Sequence, residues 1–229
     1  MLAWNSFLIA FSALLPLINP LGSALVLVGL VGDREPAVYR NLARRIAVNN
    51  VFFLAVIELL GSAILRFFGI SLPIVQLGGG TVIAAMGWSV LNEPDSDAGS
   101  ESKKEAAAVR APAAQASDGL GGLGQKAFYP FTFPVTSGPG TLVAMLTLTA
   151  HIGTETLERN ALGHLGIFLA VLVLSCLVYF AYAYAPRITR AISPATAHGI
   201  LRVVAFILFC IGVQIAWNGL AALLESVRW

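Results

Sequence analysis

Six apolar segments, each long enough or nearly long enough to cross a lipid bilayer, dominate this chain of 229 residues. A helix that spans the hydrocarbon core needs about 20 apolar residues. Charged residues make up only 11% of the chain, against about 25% in soluble domains. The sequence therefore predicts an all-α membrane protein whose solvent is lipid. The predicted spans are residues 6–30, 46–67, 73–91, 129–150, 162–185 and 200–224.

A long polar stretch separates the third span from the fourth. It is rich in Ala, Ser, Gly, Glu and Lys and poor in aromatic residues, a composition that cannot bury a core. The sequence therefore predicts three parts. Residues 1–92 form a first three-helix unit, residues 93–127 a flexible linker, and residues 128–229 a second three-helix unit.

The basic residues are distributed unevenly among the connections. Eleven of the 14 Lys and Arg residues fall on the side of the first, third and fifth connections, counting Arg202 at the start of the sixth span. Cytoplasmic connections of membrane proteins carry an excess of these residues. The pattern predicts a cytoplasmic linker with both termini outside. The first segment has no basic residue before Arg34, so we interpret it as a retained span, not a signal peptide.

Two spans contain proline where a continuous helix would not favour it. The first span contains Asn19-Pro20, and the fourth contains Ser137-Gly138-Pro139. Proline removes a backbone donor, but it is favoured at the first position of a helix, where Asn or Ser commonly precedes it. We therefore predict that a new half-helix begins inside each span, so that the first and fourth helices are broken near mid-membrane.

The prolines also suggest an internal repeat. Pro20 and Pro139 are separated by about 120 residues, and so are Pro73 and Pro194. Two copies of a three-helix unit must have opposite orientations, because each unit contains an odd number of helices. This arrangement predicts two inverted three-helix repeats, as in many secondary transporters. Two unrelated proline kinks are the alternative interpretation.

Each helix that starts inside the membrane leaves unpaired N–H groups and a partial positive charge. Lipid cannot satisfy these groups, so they must face protein, water or a ligand. Two such ends that meet would suit a carboxylate or another small anion. The predicted substrate-binding residues lie at the two breaks and in the last span: Asn19, Pro20, Gly22, Ser137, Gly138, Pro139, Gly140, Thr141 and Gln214.

Other polar residues also fall within or near the spans. Glu58 lies near the middle of the second span, where a carboxylate costs about 3 kcal/mol, and it is our candidate for ion coupling. The alternative for Glu58 is a packing role or contact with the outer interface. Gln214 shares a helical face with Asn218, where the two either line the pocket or bridge helices. We expect Asn49 and Asn50 to line a cytoplasmic vestibule and all three histidines, which lie near span ends, to be at a solvated interface.

Several classes of protein are disfavoured by what the sequence lacks. It contains no Walker loop, paired metal-ligand helix, nucleophile elbow or arginine ladder. A net charge of +2 does not favour a nucleic-acid partner. We expect neither an enzyme nor a cofactor other than a coupling ion, proton or sodium. The expected partners are the bilayer and a small-molecule substrate, with a homo-oligomer left open, and Cys176 and Cys210 are predicted to be small buried residues.

Five motifs carry a family resemblance: Asn19-Pro20-Leu21-Gly22, Gly78-Gly79-Gly80, Ser137-Gly138-Pro139-Gly140-Thr141, Ile211-Gly212-Val213-Gln214 and Asn218-Gly219. Together they resemble the MarC family of integral membrane proteins, which implies a location in a bacterial inner membrane. The resemblance also implies kinship with small amino-acid exporters, and hence a secondary transporter that exports or exchanges a small neutral amino acid or similar zwitterion. A non-transporting assembly or regulatory protein and an inorganic ion transporter are the alternatives. The single carboxylate in the spans disfavours a hard-cation cage.

Overall fold

The computed structural model describes residues 2–32, 34–92, 126–152, 157–191 and 194–227, and their regular structure is helical throughout. The predicted all-α class is therefore confirmed. The predicted linker, residues 93–127, lies outside the described residues except for its last two. The helices in the described ranges are α1 (Leu2–Ile18), α2 (Pro20–Val31), α3 (Pro36–Phe67), α4 (Leu72–Leu91), α5 (Ala127–Thr136), α6 (Pro139–Ile152), α7 (Leu157–Ala183), α8 (Ala185–Ala191) and α9 (Pro194–Val227).

Five helical segments have the length and apolar composition needed to cross a membrane, when α1 and α2 are counted together. The fourth predicted span is not among them. Residues 129–150 are divided between α5 and α6, and the apolar part of α6, Pro139–Ala150, is too short to span alone. The five segments are Leu2–Val31, Pro36–Phe67, Leu72–Leu91, Glu158–Ala183 and Gly199–Ser226.

Proline marks the start of most of these helices. The first residue of α2, α3, α6 and α9 is a proline, and the second residue of α4 is one. The first amides of a helix have no partner within it, so a missing N–H costs nothing there, and the fixed φ of proline suits the helix. The starts of these five helices therefore follow from the proline positions.

The centre of the bundle is formed by α3 and α7, which run antiparallel. Asn50 contacts Ser175, and Glu58, further along α3, contacts the earlier residue His164 of α7. Apolar side chains from several helices fill the space around this pair. The fully buried members include Leu14, Ile18, Leu27, Ile46, Leu54, Met145, Ile167 and Leu174.

The remaining contacts fix the direction of α1, α2 and α6. Near its start, α7 packs against the beginning of α1 at Gly166, and its later residue Tyr182 lies beside Ser23 of α2. Thus α1 and α2 run parallel to α7. In contrast, α6 runs parallel to α3, because Gly61 of α3 packs against Leu146 of α6 beyond the contact that Asn50 makes at the start of α6.

Small residues hold α4 and α9 together as a close antiparallel pair. They recur every seven positions on the facing sides, at Gly80 and Gly87 of α4 and at Ala205, Gly212 and Gly219 of α9. A methyl group added to Gly80 or Gly212 would overlap a backbone nitrogen of the opposite helix. Small residues allow membrane helices to approach to van der Waals contact of their backbones. This pair packs against the rest of the bundle mainly through α6.

Candidate functional site

The first break lies at Asn19, between α1 and α2. Its φ of 41° falls in the left-handed region, which asparagine tolerates better than most residues with a side chain. The Asn19 Oδ1 atom accepts a hydrogen bond from the Gly22 amide at 3.1 Å and so caps α2, whose first residue is Pro20. A methyl group on Gly22 would overlap the Asn19 side chain. The break is therefore present and is capped by its own asparagine.

The second break lies at Ser137 and Gly138, between α5 and α6. The preceding helix α5 is irregular, because Tyr129 and Phe133, each followed by a proline, have extended backbone angles. Pro139 then starts α6. The fourth span is thus interrupted at the motif that the sequence indicated.

Threonine hydroxyls add side-chain hydrogen bonds to carbonyl groups of the irregular backbone of α5. The Thr132 hydroxyl donates to the Ala127 carbonyl at 2.7 Å, and the Thr136 hydroxyl donates to the Phe131 carbonyl at 2.6 Å. The two prolines of α5 cannot donate, since they lack an N–H. Lipid provides no alternative donor, so these bonds stabilise a non-helical backbone inside the bundle.

The two breaks lie against each other. A methyl group on Gly140, the second residue of α6, would come within 3.2 Å of Leu17 in the last turn of α1 and 2.9 Å of Ile83 in α4. Because α2 runs parallel to α7 and α6 runs antiparallel to it, the two half-helices approach from opposite directions. The N-terminal ends of α2 and α6 therefore meet inside the bundle.

A buried polar layer surrounds the second break. We define it as Asn50, Thr136, Ser137, Ser175 and Tyr182, none of which is more than 1% exposed. Ser137 donates to Asn50 Oδ1 at 2.5 Å, and Asn50 Nδ2 donates to the Ser175 hydroxyl at 3.0 Å. The hydroxyls of Thr136 and Tyr182 lie 2.7 Å apart. The layer joins α3, the second break and α7 through side-chain hydrogen bonds.

Ser23 connects this layer to the first break. Its hydroxyl donates to the carbonyl of Asn19 at 2.8 Å and lies 3.2 Å from the carbonyl of Ile18, immediately before the break. The Tyr182 hydroxyl lies near Ser23 and is 2.7 Å from the Thr136 hydroxyl. One tyrosine thus contacts a residue at each break.

Thr141, at the start of α6, is the exception to this pattern of satisfied hydroxyls. It is 1% exposed, and its hydroxyl has no hydrogen-bond partner among the described residues. Buried polar groups in proteins are nearly always hydrogen-bonded, and each exception calls for an explanation. Thr141 directly follows Gly140, which lies where the two breaks meet.

Glu58 lies outside the site formed by the breaks. It is 5% exposed, and its Oε1 atom lies 3.2 Å from Nδ1 of His164, whose side chain is 37% exposed. Glu58 follows Asn50 by eight residues along α3, which places it about 12 Å from the polar layer at 1.5 Å per residue. His164, the more exposed member of this pair, therefore contacts a buried carboxylate.

Gln214 is the one predicted binding residue that the structure places away from the breaks. It lies on the exposed face of α9, where its Nε2 atom donates to Asn218 Oδ1 at 2.9 Å. Asn218 is also exposed. The buried face of α9 is instead the one that carries Gly212 and Gly219, which packs on α4. The remaining predicted residues, at the two breaks, are close to one another.

The structure also corrects several predictions about single residues. Asn50 does not line an open vestibule but lies fully buried in the polar layer. Cys176 and Cys210 are exposed on the outer surface of the bundle instead of buried within it. Sequence reasoning missed Ser175 and Tyr182 altogether. Their spacing of seven residues on one helix was a usable signal, because it places both on the same face of α7.

Among the described residues, no group of three or more His, Cys, Asp or Glu side chains is arranged to hold a metal ion. The groups that meet at the breaks are hydroxyls, an asparagine amide and helix N-termini. Such groups can hydrogen-bond a small polar or anionic molecule.

Comparison with known proteins gives consistent matches along the chain. The model of the MarC family of integral membrane proteins matches residues 4–224. A "UPF0056 membrane protein" of Aquifex aeolicus is 26% identical and covers 96% of this chain and 94% of its own. The "UPF0056 inner membrane protein MarC" of Escherichia coli is 24% identical, with 93% of each chain covered. That of Citrobacter koseri is 26% identical, also with 93% of each covered. No solved structure matches. Because the family model spans nearly the whole chain, the protein belongs to the MarC family of integral membrane proteins.

Proposed function

We propose that this protein is a secondary transporter that exports or exchanges a small zwitterion, in the first place a neutral amino acid. One observation carries the proposal. The starts of α2 and α6 meet inside the bundle, and next to this junction lies Thr141, a buried hydroxyl without a partner among the described residues. Paired interrupted helices of this kind contain the substrate site in many secondary transporters.

In the proposed site, the substrate carboxylate lies at the start of α6. The amide of Gly140 is among the first of the helix, where the helix itself supplies no partner, and the Thr141 hydroxyl is adjacent. The start of α2 is occupied by its own cap, because Asn19 already accepts from the Gly22 amide. Binding of the carboxylate at the first break therefore requires the Gly22 amide to exchange the Asn19 Oδ1 atom for the substrate.

The proposal includes two inverted three-helix repeats. In this arrangement α1–α2, α3 and α4 correspond to α5–α6, α7 and α9. Its support is that the two corresponding pairs, α3 with α7 and α4 with α9, each pack antiparallel. Helices related by a two-fold axis in the membrane plane must run in opposite directions, so the contacts fit this symmetry. Both irregular regions also lie at the first helix of each unit.

Glu58 is the proposed coupling residue, with a proton or sodium as the coupled ion. The support for this assignment is its burial and its single described side-chain partner, His164. A carboxyl group this deep in a span is costly unless it is paired, and such residues commonly mark ion pathways. Its distance from the polar layer means that coupling acts through the packing of α3 on α7, not through direct contact with the substrate.

We place the protein in the bacterial inner membrane, with both termini outside and the linker in the cytoplasm. The support is the excess of basic residues in the first, third and fifth connections and the name "inner membrane protein" carried by the E. coli relative. Reporter domains fused to each terminus test this orientation. A reporter that is active only in the cytoplasm should be inactive at both ends.

Uptake by reconstituted liposomes tests the transport proposal. Purified protein is inserted into liposomes, and uptake of labelled alanine or glycine is measured with a proton gradient, a sodium gradient or neither. We expect uptake above that of protein-free liposomes, and competition by other small neutral amino acids. Failure to transport any member of a full amino-acid panel under either gradient would exclude the proposal.

Two variants distinguish transport from a regulatory role of the linker. Deletion of residues 95–120 removes no part of the described helices, whereas Pro139→Ala alters the start of α6. A transporter should retain uptake after the deletion and lose most of it in the Pro139→Ala variant. The opposite order of severity, in uptake or in a cellular phenotype, would favour an assembly or regulatory protein that acts through its linker.

A further inference from the structure

Two amide side chains face outward from the middle of a membrane-spanning helix. Gln214 lies close to the centre of the apolar segment Gly199–Ser226, Asn218 follows one turn later, and both are exposed. The side chains around them on this surface are apolar, among them Ile207 and Trp217, which is 61% exposed. Apart from the two amides, this surface is therefore apolar, as expected for a side of the helix that faces lipid.

The amides point directly away from the bundle. A residue in an α-helix is rotated by about 100° from its predecessor, so Gln214 lies about 200° from Gly212. Gly212 is packed against the backbone of α4, which places Gln214 on the opposite side of α9. Cys210 and Asn218, one turn before and one turn after Gln214, lie on the same side and are also exposed. We call these three residues the outer face of α9.

The hydrogen bond within the outer face leaves much of its capacity unused. Gln214 Nε2 donates to Asn218 Oδ1 at 2.9 Å. The Asn218 amide retains its two N–H donors, and the Gln214 carbonyl retains both of its lone pairs. Hydrocarbon offers neither donors nor acceptors, and polar side chains in membranes hydrogen-bond across helices where they can. The partner of this face must therefore present both donors and acceptors at the same depth.

We infer that the outer face of α9 is the contact surface of a homodimer, with a second copy of this chain as its occupant. Two copies insert into the membrane in the same orientation, so their two-fold axis lies along the membrane normal and each residue faces its own counterpart. Asn218 of each copy can then donate to the Gln214 carbonyl of the other. The pair of amides is self-complementary, as an isologous contact requires. The inference does not depend on whether the protein transports anything.

The two native cysteines provide a direct test. Cys210 belongs to the outer face, whereas Cys176 lies on α7, and the sequence contains no other cysteine. The full-length C176S and C210S variants are purified in mild detergent, reconstituted in liposomes and treated with a membrane-permeant oxidant. A disulfide needs Cα atoms within about 7 Å, which two facing helices in contact allow. We expect C176S to give a covalent species of twice 24.1 kDa, and C210S to give none.

A second variant tests the role of the amides without disturbing the fold. Q214L and N218L together replace exposed groups with side chains that lipid solvates well, so the monomer should still insert and fold. We expect the wild type to have the mass of a dimer by light scattering corrected for detergent, and the double variant to have that of a monomer. The crosslink at Cys210 should fall at least tenfold in the Q214L/N218L background.

Three results would overturn the inference. A wild-type protein that is monomeric in both detergent and liposomes would show that lipid covers this face. A dimer that crosslinks through Cys176 but not Cys210 would place the contact on another surface. Rapid labelling of Cys210 by a membrane-impermeant maleimide would show that the outer face lines a water-filled path.

Discussion

Replacement of Thr141 by valine separates a binding role from a structural one. Thr141 is 1% exposed and its hydroxyl has no partner among the described residues, although it lies where the two breaks meet. Valine has nearly the same shape but no hydroxyl, so packing around the start of α6 is preserved. The substitution therefore removes only the capacity to hydrogen-bond.

The expected effects on stability and on ligand binding have opposite signs. A buried polar group without a partner is unfavourable by about 1–3 kcal/mol, so Thr141→Val should raise the free energy of unfolding, by roughly 1 kcal/mol after relaxation. A hydrogen bond to a ligand contributes about 0.5–1.5 kcal/mol, so loss of the hydroxyl should weaken binding roughly 2- to 10-fold. A purely structural threonine would instead lose stability on this substitution.

Unfolding in mixed micelles, with increasing denaturing detergent, measures the change in stability. Uptake at varied substrate concentration in liposomes measures the change in ligand binding. Thr141→Ser is the matched control, because it keeps the hydroxyl and should keep near wild-type affinity. A loss of more than about 1 kcal/mol in Thr141→Val but not in Thr141→Ser would mean that the hydroxyl has a partner within the fold. That result would refute its assignment to a ligand site.

Three further sets of substitutions test the breaks and the helix contacts by the same unfolding measurement. Asn50→Leu should lower the free energy of unfolding by about 1–3 kcal/mol, because Ser137 loses its acceptor. Adding Ser137→Ala should recover part of this loss. If the two substitutions instead destabilise the protein independently and additively, the hydrogen bond is contradicted. Asn19→Ala should cost about 1–2 kcal/mol and Asn19→Gly only a few tenths, because glycine tolerates the left-handed backbone; equal losses would contradict this account of the first break. Gly212→Val should separate α9 from α4 and severely reduce the stability of the protein. Gly78→Ala, with nothing within 4 Å of its new methyl group, should instead raise the free energy of unfolding by up to about 1 kcal/mol. A stable Gly212→Val variant would contradict the close backbone contact.

The positions of the helix breaks could be predicted from the sequence because their causes are local. Asn19-Pro20 and Pro139 combine a capping side chain with a residue that cannot continue a helix, and both act within a few residues. The extent of α3 could not be predicted in the same way. The span was predicted to start at residue 46, but the helix begins at Pro36. Hydropathy detects the apolar part of the helix and not its continuation through the charged residues Arg40 and Arg44.

The partners of the polar residues were beyond local reasoning. Asn50 bonds to Ser137 across 87 positions, and nothing in either segment specifies that contact. The outward position of Gln214 was, in contrast, contained in the sequence. Small residues every seven positions, at Gly212 and Gly219, mark the inner face of α9, and Gln214 lies out of phase with them. The glycine spacing alone therefore predicts that Gln214 lies on the surface of the bundle.

The α4–α9 interface and the contacts around Ser137 differ in whether a ligand can enter between the helices. Between α4 and α9, backbones touch at Gly80 and Gly212, so nothing can enter without separating the helices. Around Ser137 the contacts are hydroxyl and amide hydrogen bonds, which can be exchanged for bonds to a polar ligand at little net cost in free energy. The same groups lie beside helix starts whose amides favour an anion. A polar substrate could therefore exchange contacts at the breaks but not at the α4–α9 interface, and this difference favours the breaks, beside the polar layer, as the proposed binding site.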